Sequence, residues 1–148
     1  MYNKILMLAA ASLVTTSAAF AQVTVADPWI RATVPAQKTA GAFMQLRSPK
    51  ATRLVDVQSP VAGRAEIHQM DMQGQTMRMQ KVDGIDLPAG QPVNLSSGGY
   101  HVMLFDLKQQ LKEGEQVPLT LVFSGPDKKR ESVTVQVPVK PLTYTAAH

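Results

Sequence analysis

The 148-residue sequence contains no cysteine. That excludes disulfide scaffolds, thiolate zinc sites and thiol–disulfide chemistry together. Charge of one sign is scarce as well: 15 Lys and Arg stand against 11 Asp and Glu, a balance too small to argue for nucleic acid as a partner. The basic run Lys128-Lys129-Arg130 follows Gly125-Pro126-Asp127 and reads as a solvated turn. Motifs of catalysis are missing too, with no Gly-x-Ser-x-Gly elbow, no His-Glu-x-x-His and no phosphate-binding glycine loop, so the chain is not expected to be an enzyme. A long apolar run occurs only at the start. Lys4 precedes an apolar stretch from Ile5 to Val14, and Ala19-Phe20-Ala21 makes a small-x-small cleavage signal. Residues 1–21 therefore read as a secretory signal cut before Gln22. Ser12, Thr15, Thr16 and Ser17 interrupt the run and no stop-transfer charges follow it, so no stable membrane anchor is expected after cleavage.

Residues 22–148 read as one domain. Nothing in them sustains a period of 3.6, whereas short alternating or β-rich runs recur between turn residues, which predicts an all-β sandwich or small barrel. The expected strands are Val23–Val25, Gly41–Arg47, Arg53–Gln58, Ala65–Met72, Thr76–Val82, Pro92–Leu95, Tyr100–Leu107, Val117–Phe123 and Ser132–Val139. One helical turn is expected over Asp106–Glu113, because Leu107 and Leu111 are four apart and Gly114 follows as a cap.

What the chain does contain is a cluster of methionine and histidine. Met70, Met72, Met77, Met79 and Met103 fall in one window with His68 and His101. Side chains alternate faces along a strand, so His68, Met70 and Met72 share one face, as do Met77 with Met79 and His101 with Met103. If Gln73-Gly74 forms a two-residue hairpin loop, His68 faces Met79. If Gly74-Gln75 does, Met70 faces Met79 and His68 lies diagonally from it. A second His-x-Met on Tyr100–Leu107 completes four ligands if that strand approaches the hairpin. Single methionines are ordinary core filler, but two His-x-Met pairs with a further methionine across a hairpin are hard to attribute to packing. Thioether sulfur is soft and neutral, and a mixed His/Met set favours Cu(I) over zinc or hard oxygen-seeking ions.

The arrangement resembles the periplasmic copper chaperones associated with the CuA site of cytochrome oxidase, the PCuAC family. Their pattern of His, ten residues, Met, twenty-one residues and His-x-Met is reproduced by His68, Met79, His101 and Met103. Trp29-Ile30-Arg31-Ala32, Thr39-Ala40-Gly41-Ala42-Phe43-Met44, Gly98-Gly99-Tyr100-His101-Val102-Met103-Leu104 and Leu111-Lys112-Glu113-Gly114 are similar to the family as well. The resemblance implies a cupredoxin-like Greek-key barrel or sandwich in the periplasm that binds one Cu(I) through those four residues. Its implied partner is a copper acceptor, either cytochrome c oxidase subunit II or an assembly factor. Copper storage or tolerance through the same site is the alternative role. Met70, Met72 and Met77 lie outside the pattern and read as soft surroundings of the site or a surface by which metal arrives. Some members carry a His- and Met-rich C-terminal extension, whereas this sequence ends Tyr144-Thr145-Ala146-Ala147-His148, so no tail site for Cu(II) is implied. Trp29 and Arg31 are expected to pack together, the guanidinium covering apolar surface beside the indole.

Overall fold

The structure is a computed structural model and describes residues 23–146. The expected secretory signal, residues 1–21, and His148 lie outside the described residues. Ten strands account for the regular structure: β1 Thr24–Arg31, β2 Ala40–Arg47, β3 Thr52–Gln58, β4 Ala62–Gln73, β5 Thr76–Lys81, β6 Ile85–Leu87, β7 Val93–Leu95, β8 Tyr100–Leu107, β9 Gln116–Ser124 and β10 Arg130–Lys140. All nine expected strands are present. β1 runs on to Arg31, β4 begins at Ala62 rather than Ala65, and β6 is a three-residue strand that its sequence does not announce.

The strands form one continuous path, β5-β4-β8-β2-β1-β10-β9-β3-β6, with β7 also paired to β2. Every pairing is antiparallel except β1 with β10. The path bends until β3 and β4 lie against each other, giving a single-domain barrel-like sandwich around one core. Alternation fills that core: Ile67 from β4, Val102 and Leu104 from β8, Leu119, Leu121 and Phe123 from β9, and Val137 and Val139 from β10 all point inward and are buried. The opposite face of β4 and β8 carries His68, His101 and Met103.

A β-bulge in β1 sets one side of that outer face. Ala26 pairs with Gln45 and Trp29 with Phe43, so β1 spends one more residue than β2 across this interval. Asp27 absorbs the irregularity in the left-handed region, at φ 49°. Regular pairing would have placed Pro28 opposite Phe43; the extra residue puts Trp29 there instead.

The expected helical turn over Asp106–Glu113 does not form. The backbone groups of this segment bond to distant partners rather than to each other: Leu107 N–H to the Lys38 carbonyl, Lys108 N–H to the Val61 carbonyl, and the Leu111 carbonyl to Thr33 N–H. Leu111 N–H donates to Thr33 Oγ1 at 2.9 Å. Leu111 is fully buried, so its spacing from Leu107 reflects two separate insertions into the core rather than one helix face. Gly114 does adopt a positive φ of 88°, but in a turn between strands. Thr33→Val keeps the shape of this buried residue and leaves the Leu111 N–H without its acceptor. It should cost about 1–3 kcal/mol, read as a lower urea midpoint.

Candidate metal centre

β4 and β8 pair so that His68 stands directly opposite His101, with Glu66 opposite Met103 and Arg64 opposite Phe105. The two imidazole rings lie 6.1 Å apart between centroids and are tilted by 39°. On the other side of β4, the hairpin to β5 turns at Gly74-Gln75, the second of the two-residue loops considered from the sequence. Gly74 sits at φ 65°, a conformation glycine adopts without steric cost. Met70 therefore opposes Met79, and His68 opposes Lys81. Met79 and Met103 are both diagonal neighbours of His68, one on each flanking strand, and diagonal pairs are within reach of long side chains. All four expected site residues thus share one sheet face around His68. Among the described residues no three His, Asp or Glu side chains gather closely enough to hold a metal ion, so a metal at these two imidazoles would need thioethers to complete its coordination shell.

The face is an outer one, yet both imidazoles are buried, His68 to 8% and His101 to 3% exposure. Aromatic rings cover them. Phe105 lies 5.6 Å from His68, Phe43 lies 6.2 Å from His101, and Trp29 stacks on Phe43 at 4.7 Å. The Arg64 guanidinium sits 4.5 Å over Phe105, and that of Arg31 sits 5.4 Å over Trp29, so Trp29 and Arg31 pack as expected. Tyr144 closes the row edge-on to Trp29 at 4.9 Å. Gly41 lets the row fit, because a Cβ there would lie 3.0 Å from Phe43 Cζ and 3.7 Å from Met103 Sδ.

A family model described as "Putative lipoprotein LpqE-like" matches residues 23–139. The chain belongs to the LpqE-like family. It is 29% identical over 119 residues to "Putative lipoprotein Lxx21020" of Leifsonia xyli subsp. xyli, a match covering 80% of this chain and 69% of that one. Among solved structures, the copper-bound PCuAC domain from PmoF2 is 26% identical and has a TM-score of 0.65, over 80% of this chain and 92% of the other. The solution structure of CuI-DR1885 from Deinococcus radiodurans is 30% identical with a TM-score of 0.63, over 86% and 85% respectively. The fold of this LpqE-like chain is thus the cupredoxin-like one that the resemblance implied.

Each histidine of this LpqE-like centre is held through one nitrogen. His101 Nδ1 contacts the Gly99 carbonyl at 3.1 Å, and since a carbonyl only accepts, Nδ1 carries the proton and Nε2 the lone pair. His68 Nε2 lies 3.4 Å from Glu66 Oε2. Its Nδ1 is buried with no hydrogen-bond partner, a cost that a bound electrophile would remove. Glu66 is the functional neighbour that sequence reasoning missed. Its desolvation acts to raise its pKa, but the His68 hydrogen bond and the charges of Lys81, Arg64 and His68 outweigh it and hold the carboxyl below its ordinary value. Burial lowers the pKa of His101, against the Gly99 hydrogen bond, which raises it; the charge of His68 lowers it further.

The His101 shift fixes the sign of a pH dependence. In the unfolded chain the imidazole protonates near 6.5, and in the folded chain at a lower pH, so below 6.5 the unfolded state binds more protons. The contribution to stability is complete above that pH and is lost as pH falls through the lowered folded value. Metal-free protein should therefore have a lower urea midpoint at about pH 5.5 than at about pH 7.5, and His101→Gln should shrink that difference.

Proposed function

We propose that this protein is a copper carrier rather than an enzyme, binding one Cu(I) through His68, Met79, His101 and Met103. The observation that carries the reading is the direct opposition of His68 and His101 on one face, with a methionine diagonal to His68 on each flanking strand. The unpartnered buried Nδ1 of His68 fits a metal-bound nitrogen. Related structures supply the metal, since PmoF2 and DR1885 were solved with copper and with Cu(I) respectively. Four neutral ligands suit a soft monovalent cation and offer no thiolate that an oxidising compartment could attack.

Exposure sets an order of release. Both imidazoles are buried and Met103 is half-buried, whereas Met79 is 46% exposed on a strand that ends the sheet. An acceptor thiolate would displace Met79 first, then Met103, while the histidines hold the ion until the partner's ligands are in place. The setting we propose is the periplasm, which the secretory signal expected over residues 1–21 and the family's description as a "Putative lipoprotein" support. The recipient we propose is the CuA site of cytochrome c oxidase or an assembly factor that serves it, on the strength of the PCuAC resemblance.

Anaerobic titration with Cu(I) against a coloured chelator tests the site. The protein should withdraw one tightly held equivalent, and a folded variant carrying His68→Ala, Met79→Ala, His101→Ala and Met103→Ala should withdraw none at that affinity. Met79→Leu alone should keep the tight equivalent and speed its loss to excess chelator, whereas an unchanged release rate would remove Met79 from the exchange step. In cells, loss of oxidase activity under copper limitation on deletion supports delivery. Copper sensitivity with normal oxidase activity would replace delivery by storage.

A further inference from the structure

Four methionines share the ligand face of the β4–β5 hairpin, and only Met79 has a place in the His68/His101 centre. Met70 opposes Met79, and Met72 opposes Met77. Val82 N–H donates to the Ile67 carbonyl at 2.9 Å, and alternation from that bonded pair makes both methionine pairs non-hydrogen-bonded ones. In such pairs opposing Cα atoms are about 4.5 Å apart and the side chains approach most closely. These thioethers are not core filler. Met72 is 58% and Met77 50% exposed, and with Met79 they are three of the five large hydrophobic side chains that the described surface leaves exposed. Every residue of β5 is exposed, so this end of the hairpin stands clear of the core.

Distance separates the outer pair from the histidines. Met72 is four residues beyond His68, about 13 Å along the strand, and side chains rising from one sheet face keep roughly that separation. One ion bound at His68 cannot also be bound by Met72 and Met77. We propose that Met72 and Met77, with Met70 as the third donor, form a second site for a soft monovalent cation, Cu(I) or Ag(I). All three donors are neutral thioethers with no proton to lose. The nearest charged side chains of the hairpin, Asp71 and Arg78, stand opposite each other on the other face, where Gln80 Nε2 donates to Asp71, leaving the donor face uncharged at this end. Met70 stands between the two sites, two residues from His68 and two from Met72, so an ion can pass inward by exchanging one thioether at a time. The proposal rests on the copper reading above for the choice of metal alone.

The test is an anaerobic Cu(I) titration of protein with carbon-13-labelled methionine methyls. Two equivalents should bind, the first tightly and the second weakly, and the methyl resonances of Met72 and Met77 should move with the second alone. Met72→Leu/Met77→Leu changes exposed residues at nearly constant volume and should lose the second equivalent while keeping the first. Equal stoichiometry in the wild type and this variant overturns the second site, as do Met72 and Met77 methyls that stay fixed throughout. The two readings fail separately: a first equivalent indifferent to His68→Ala/His101→Ala removes the His/Met centre, while the Met72 and Met77 methyls report on the outer site alone.

Discussion

The register between β4 and β8 is the constraint on which the rest of the structure depends. It sets His68 against His101 and, two residues away, Glu66 against Met103. Side chains alternate with a period of two, so a slip of one residue would turn both histidines of the pair out of opposition and send one of them into the core. The slip is prevented from the other face, where Ile67 and Val102 oppose each other within the core. Core packing therefore positions the imidazoles without touching them. The same carbonyl that ends the ladder also orients an imidazole: Gly99 accepts from Met70 N–H and from His101 Nδ1.

Burying two imidazoles on an outer face is costly unless something covers them, and the covering is aromatic. With only 5% aromatic residues in the chain, Trp29, Phe43, Phe105 and Tyr144 are concentrated along this one surface. The β1 bulge brings Trp29 over Phe43, and Gly41 gives Phe43 room to lie beside Met103. Low local polarity has two effects. It disfavours the charged imidazolium, so His101 stays neutral to a lower pH than a free imidazole would. It also leaves His68 Nδ1 buried with no protein hydrogen-bond partner, a poorly satisfied polar atom.

Much of this was legible in the sequence because strands write their pattern at short range. The two-residue hairpin loops could be enumerated, and both kept His68, Met70, Met79 and Met72 on one face; the structure turns at Gly74-Gln75, a choice, like the exclusion of an odd-length loop, that local pattern does not make. β6 was not legible, since three residues with Asp86 at the centre carry too little alternation to stand out from a loop. The helical turn at Asp106–Glu113 failed because a four-residue spacing of leucines is ambiguous without knowing that Thr33, some 78 positions away, claims the Leu111 backbone. Glu66 escaped notice because a glutamate two residues before a histidine reads as a solvated strand position. Its contact with His68 depends on the conformations of both side chains, which no local pattern encodes.

From the histidines toward the hairpin turn, the His/Met face grades from closed to open. His68 and His101 are buried, Met70 is half-buried, Met79 is nearly half exposed, and Met72 and Met77 are more exposed still. Donor type follows the same gradient, from imidazole, which is held in a fixed tautomer by a hydrogen bond at its second nitrogen, to thioether, which no hydrogen bond orients. A buried, oriented donor binds tightly and exchanges slowly, while an exposed, flexible one does the reverse. A protein that only stored metal would have reason to enclose all its donors. Placing Met77 and Met79 on the edge strand, where another molecule can reach them and the aromatic row does not extend, is the arrangement expected of a protein that must give its ion away.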